Sequence, residues 1–277
     1  MSFEKNSKSP EARVPRFAAE ALTPEVVRAA MGSHGCMIVH GALPEDYIRQ
    51  AVPELESAIA QEARWHGTTD YQDYGMVLIC SLYGEAFWKL FDLPSVTMPF
   101  EAVLGEGCIV YAYTSSSMPA GKQNYSTRIH VDCPRVIPNY VTNMGATILL
   151  SDFTEANGAT YILSKSHERL ERPSEDEFFS KSERLVAPKG SIFFFNARIW
   201  HMGGDNSTAQ WRHALTVNMC RSYMRQRIDI PRAMSHMNLD RLSPRAAQKL
   251  GFDVQIPISM DEYYQPAEKR KFRQRVE

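Results

Sequence analysis

No apolar run in this sequence comes near the roughly 18 residues that a membrane helix requires. The opening stretch MSFEKNSKSPEARVPRF has no apolar signal core, so secretion is not expected. Cysteine is sparse: Cys36, Cys80, Cys108, Cys133 and Cys220 are scattered, odd in number and never spaced C-x-x-C. That pattern excludes a disulfide framework and a thiolate zinc site, and it points to a reducing compartment, with the cytoplasm as the expected location. Neither sign of charge dominates, since 31 Lys and Arg face 32 Asp and Glu. Nucleic acid and membrane are therefore not expected as partners. Internal repeats, low-complexity blocks and a clear linker are also missing. One domain is expected over 16–277, behind a flexible tail at 1–15.

What is present divides the chain in three. Residues 16–105 have mostly helical signals. LTPEVVRAAMGSHG carries Thr23-Pro24 as a helix entry and ends on glycine. LPEDYIRQAVPELESAIAQEARWH has helical periodicity, with a kink or break expected at Pro53. GEAFWKLFDLPSVTMPFEAVLG reads as two short helices interrupted near Pro94 and Pro99. CMIV at 36–39 is a short strand candidate. From about 106 to 225 the segments GCIVYAY, TRIHVD, ATILLSDF, ATYILS, LVAPKGSIFFFN and HALTVNMC are short, rich in β-branched and aromatic residues, and separated by Gly, Pro, Asn or Asp. The fold class expected is mainly β with flanking helices: an antiparallel jelly-roll core of the cupin-like, double-stranded β-helix kind, with the helices packed outside it. Residues 226–277 form a C-terminal extension, and its basic run KRKFRQR at 269–275 reads as a solvated end.

TRIHVDCPR, residues 127–135, raises the chemical question. In an extended strand His130 and Asp132 share one face with Arg128, while Ile129 and Val131 point the other way. One imidazole and one carboxylate so placed can grip a metal ion. Alone, an H-x-D is more often a surface ion pair. The second piece is GSIFFFNARIWHMGGDNSTAQWRHALTVNMC, residues 190–220, which reads as a hairpin with a longish loop. That reading sets His201 and Arg212 on neighbouring strands near one end, with Arg212 on the face of Ala214, Thr216 and Asn218. An inward guanidinium needs an anion, and a carboxylate gripped by two parallel hydrogen bonds is its natural partner. Two histidines and one carboxylate on one side of a metal leave the opposite positions open, the facial triad suited to non-haem Fe(II), a chelating 2-oxo acid and O2.

At this point the chain resembles the Fe(II)/2-oxoglutarate-dependent oxygenases of the phytanoyl-CoA dioxygenase type. The resemblance is carried by H-x-D, the distal His and the Arg eleven residues after it. LLSDFTEANGATYILSKSHE and APKGSIFFFNARIWHMGGDN are similar to the family's Asn-Gly-Ala-Thr turn and distal-histidine strand. It covers roughly residues 105–225. It implies that His130, Asp132 and His201 bind iron and that Arg212 pairs with the distal carboxylate of 2-oxoglutarate. Thr160, in the N-G-A-T turn, would assist that carboxylate. Thr127 falls where relatives place a polar group, commonly Gln, near the cosubstrate's metal-binding end, and Gln123 competes for that role. His167, in SKSH where relatives carry Gly-Ser-His, is given no function. Because Asp132 is intact, halogenation is disfavoured. The activity implied is oxidation, most simply hydroxylation, of an unactivated C–H bond in a small-to-medium organic metabolite, in natural-product biosynthesis, with release of succinate and CO2.

Two other readings stand beside this one. The same three ligands serve catalytic zinc in hydrolases and lyases, which have no use for Arg212 as an anion clamp. A non-catalytic ligand-binding barrel would be indifferent to loss of Asp132. His213 is expected to pack, and His34, His40, His66 and His236 have no partner pattern. Residues 71–76 and 111–125 are loop-like and could close over a substrate. Arg135 could meet a substrate anion or simply pair with an acid. No apolar face can be assigned to an interface, so the sequence leaves the oligomeric state open.

Overall fold

Helix entry in the first third follows local chemistry. In the computed structural model, which describes residues 13–122 and 125–271, α1 spans Pro24–His34. The Thr23 hydroxyl accepts the Val26 N–H at 3.3 Å, and Gly35 ends the helix at a φ of 71°, where a side chain would be strained. α2 (Glu45–His66) runs without a break through Pro53. The expected interruption is absent because its buried stripe of Tyr47, Ile48, Ala51, Leu55, Ala58 and Ile59 holds the helix together despite one missing N–H. α3 covers Glu85–Lys89. α4 (Pro94–Leu104) begins at Pro94, as expected, but continues through Pro99, which it buries.

Two strands, β1 (Arg16–Ala18) and β2 (Cys36–His40), come from this helical third and join the main sheet. The remaining strands are β3 (Ile109–Ser115), β4 (Asn143–Leu149), β5 (Tyr161–Ile162), β6 (Glu183–Arg184), β7 (Ile192–Asn196), β8 (His201–Met202) and β9 (Ala214–Cys220). The short helix α5 (Glu175–Lys181) precedes β6. Six strands form one sheet in the order β1-β2-β7-β4-β9-β3, antiparallel except for the β1–β2 pair. The other sheet has the order β6-β5-β8. The two do not close into a barrel. No helix among the described residues is long and apolar enough to cross a membrane.

The period-two pattern of IFFFN shows how the layers are made. Ile192 and Phe194 join a cluster with Val27, Leu55, Phe100 and other helix residues, so one face of the main sheet is covered by helices. Phe193 and Phe195 point the other way, into a cluster with Phe153 and Ile162 of the opposite layer. The site lies on this second side. Gly145 of β4 faces Phe195 of β7 in register, and a Cβ there would run into the Phe195 ring. That ring cannot swing away freely, since it stacks on Phe193 at 5.0 Å and touches the His201 ring at 5.2 Å. Gly145→Ala is expected to cost about 2 kcal/mol and lower Tm by roughly 4–8 °C in thermal unfolding.

Two expectations about strands need correction. TRIHVD is not a ladder strand: residues 125–127 form a 3-10 turn, and His130 makes one isolated bridge, to His201. The 201–212 stretch is also not a hairpin. β8 belongs to the smaller sheet, while Arg212 bridges to Met118 at the head of β9, in the main one. The Gly/Asn-rich loop crosses between layers because Asn206, almost fully buried, donates to the carbonyls of Pro119 and Gln210 and folds it inward. Gln123, in the 111–125 stretch, lies outside the described residues.

Candidate metal centre

A backbone bridge sets the first two side chains. His130 and His201 exchange N–H···O=C bonds of 3.0 Å, so their rings sit side by side with centroids 4.2 Å apart. Each ring is then oriented by a carbonyl two residues earlier. His130 Nδ1 lies 2.7 Å from the Arg128 carbonyl, and His201 Nδ1 lies 3.0 Å from that of Ile199. A carbonyl oxygen only accepts, so both Nδ1 atoms carry the proton and both Nε2 lone pairs face inward. They face the same atom: Asp132 Oδ1 is 3.6 Å from His130 Nε2 and 3.7 Å from His201 Nε2. Burial, reinforced by the neighbouring His201 ring, holds the His130 imidazole well below the usual histidine range, so it is neutral near pH 7 and able to bind a cation.

The three donor atoms lie within 4.8 Å of one another. None closes the space between them by a direct hydrogen bond. Two imidazole nitrogens and one carboxylate oxygen around a shared gap suit Fe(II). The second carboxylate oxygen of Asp132 faces Asn218 Nδ2 at 3.5 Å, and Asn218 Oδ1 accepts from buried Asn143 at 3.2 Å. This short chain leads from β4 and β9 to the carboxylate, tying it to the rigid sheet.

Arg212 is 3 % exposed. Its Nη1 donates to the Gly158 carbonyl and its Nη2 to that of Ser116, at 3.1 Å. Its Nε has no hydrogen-bond partner among the described residues, and its carbon lies 4.5 Å above the Phe153 ring. Among the described residues no carboxylate is paired with it. Burial, with Arg184 nearby, pulls its pKa down to about 10. The N-G-A-T turn builds this clamp. Asn157 Oδ1 accepts the Thr154 N–H at 2.8 Å, Gly158 takes a φ of 85° against the Gly204 backbone, and the Gly158 carbonyl is thereby aimed at the guanidinium.

A cavity of about 150 Å³ joins these parts: His130, Asp132, His201, Arg212 and Thr160 all line it. Thr127 is not part of its wall, whereas the adjacent Ser126 is. His201 and Arg212 meet across the cavity from different sheets rather than as strand neighbours. Thr216 and Asn218 share the wall with Arg212, as strand alternation predicts. His213 packs, stacking on Trp211 at 5.6 Å and meeting Glu56 at 3.5 Å. Residues 71–76 do not reach the cavity, and Tyr74 leans on Trp211 instead. Tyr111, Thr114 and Ser116 of the 111–125 stretch do reach it. So does Arg227, in the C-terminal extension, which no motif had marked.

The sequence profile of the family described as phytanoyl-CoA dioxygenase (PhyH) matches residues 32–214. "Uncharacterized protein Rv1501" of Mycobacterium tuberculosis is 26% identical over 255 residues, 89% of this chain and 93% of that protein. "Dioxygenase FrzG" of Cladobotryum sp is 28% identical over 282 residues, 89% of each. Among solved structures, the epimerase SnoN in complex with Fe3+, alpha ketoglutarate and nogalamycin RO aligns with a TM-score of 0.55. It is 19% identical and covers 74% of this chain and 87% of that one. At that identity the likeness is one of fold.

Proposed function

Since the chain belongs to the phytanoyl-CoA dioxygenase family of non-haem iron, 2-oxoglutarate-dependent dioxygenases, we propose that His130, Asp132 and His201 hold its iron and that Arg212 receives the distal carboxylate of 2-oxoglutarate. The reaction proposed is hydroxylation of an unactivated C–H bond in a small-to-medium organic metabolite of natural-product biosynthesis, carried out by residues 16–277 as one oxygenase unit. The observation that carries this is a buried guanidinium with no acidic partner among the described residues, in the same cavity as three convergent candidate metal donors. A zinc hydrolase would have no use for it. The dioxygenase reading is supported by FrzG, which is named a dioxygenase, and the natural-product context by the SnoN complex, which holds nogalamycin RO.

Bound iron with 2-oxoglutarate and dioxygen supplies the oxidising power, and the cosubstrate leaves as succinate and CO2. The chain's own residues position and shield. Arg212, held by two carbonyls, fixes one end of the 2-oxo acid, with the Thr160 hydroxyl on the same wall to add a second polar contact. The Arg128 and Ile199 carbonyls keep both imidazoles in the ligand tautomer. Phe153, Phe193 and Phe195 make the floor apolar and limit water around the reacting carbon. Anaerobic addition of Fe(II) and 2-oxoglutarate is expected to produce a visible metal-to-ligand charge-transfer band, and O2 is expected to discharge it with one succinate formed. A folded, iron-loaded protein showing no band would overturn the assignment.

A further inference from the structure

A second cavity of about 70 Å³ adjoins the metal-site cavity, and both include Tyr111, Ala112, Thr114 and Arg227 in their walls. Leu78, Ile79, Tyr113, Ile228 and Ile230 make the rest of the second cavity apolar. We propose that Arg227 anchors the substrate, and that the substrate is an organic acid: its carboxylate pairs with Arg227 and its apolar skeleton occupies the second cavity. This rests on the reading of the metal centre given above.

Charge balance is the first argument. Apart from the imidazoles, the ionised groups lining the main cavity are Asp132, Arg212 and Arg227. Asp132 faces the metal position, and Arg212 is matched by the cosubstrate's carboxylate. Arg227 is the cation left over, and among the described residues no acid pairs with it. A carboxylate offers it the short, charge-assisted bonds that a guanidinium forms best.

Placement is the second argument. β3 carries a bulge between Val110 and Ala112, where it loses register with β9. Tyr111 is the extra residue, and its free carbonyl accepts the Arg227 N–H at 2.9 Å. One residue earlier, Gln226 Nε2 donates to the Val110 carbonyl at 2.8 Å and to that of Leu250 at 3.0 Å. The bulge thus turns Tyr111 and Ala112 toward both cavities and pins the Arg227 backbone beside them. Arg227 is exposed, as a residue at the entrance must be, but its backbone is fixed where the polar cavity meets the apolar one. A neutral or wholly apolar substrate would leave this cation facing it unpaired.

The test uses n-octanoate and octan-1-ol as probes, titrated calorimetrically into the anaerobic Fe(II)- and 2-oxoglutarate-saturated protein. Octanoate is expected to bind wild type, to weaken at least about ten-fold in Arg227→Gln, and to recover in part in Arg227→Lys. Octanol is expected to bind all three alike. Three results would each overturn the proposal: equal octanoate affinity in wild type and Arg227→Gln, an equal loss for octanol, or no octanoate binding to wild type. The charge-transfer band, recorded on the same samples, separates the two levels. A missing band in wild type refutes the metal-centre reading, while the octanoate comparison still decides the role of Arg227.

Discussion

Arg212→Met is expected to weaken 2-oxoglutarate binding about 100-fold while leaving the ligand-free protein no less stable than wild type. Two opposed terms produce this split. In the absence of an anion the guanidinium is desolvated with no counter-charge among the described residues, and the burial that pulls its pKa down to about 10 corresponds to a cost of about 3 kcal/mol. The sign is that of a base held less tightly charged in the folded state. The cost is complete below about pH 10, where the group is protonated folded and unfolded, and it is relieved only above that. Methionine removes the cost and forfeits two hydrogen bonds from the charged guanidinium to the Gly158 and Ser116 carbonyls, worth about 1.5 kcal/mol each. The terms nearly cancel, so Tm of the ligand-free variant should not fall. With 2-oxoglutarate at a hundred times its wild-type Kd, wild type gains about 2.7 kcal/mol, whereas the variant gains well under 1. Thermal melts with and without 2-oxoglutarate measure both halves. A variant that melts far lower when ligand-free, or that keeps its 2-oxoglutarate shift, contradicts the role given to Arg212.

The second large effect is at the metal. His201→Ala removes one of two nitrogen donors and is expected to lower iron affinity at least about 100-fold and to abolish both the charge-transfer band and succinate formation. The loss should not come from unfolding. His201 sits on a two-residue strand, and its backbone pairings with His130 and with Ile162 of β5 survive the substitution. Far-UV circular dichroism should therefore match wild type. Asp132→Ala should behave in the same way toward iron, and a ligand-binding barrel without chemistry would be indifferent to it. Iron content, measured by chelator competition, is the deciding quantity.

The candidate donors were readable in the sequence because their chemistry is carried by side-chain type and order: H-x-D, a distal His, and an Arg at a fixed offset. The arrangement that brings them together was less readable. The strand expected at TRIHVD dissolves into a turn and one bridge because His130 needs only His201 to place it. The hairpin expected between His201 and Arg212 is replaced by a crossover between sheets, since a buried Asn206 knots the loop, and asparagine in a loop gives no sign of burial. Pro53 and Pro99 suggested breaks that packing overrode. Asn218 could have been chosen from its alternation with Arg212 and Thr216, but nothing in the local pattern says that it faces Asp132. Arg227 gave no signal at all, because its placement depends on a bulge in a strand more than a hundred residues earlier in the chain.

Both imidazoles of the candidate metal centre are steered by main-chain oxygens, from Arg128 and Ile199. Main-chain oxygens survive every substitution. The walls around the centre can therefore diversify from one descendant to the next without disturbing ring orientation, and a lineage built this way can exchange one scaffold molecule for another while its reactive core stays fixed.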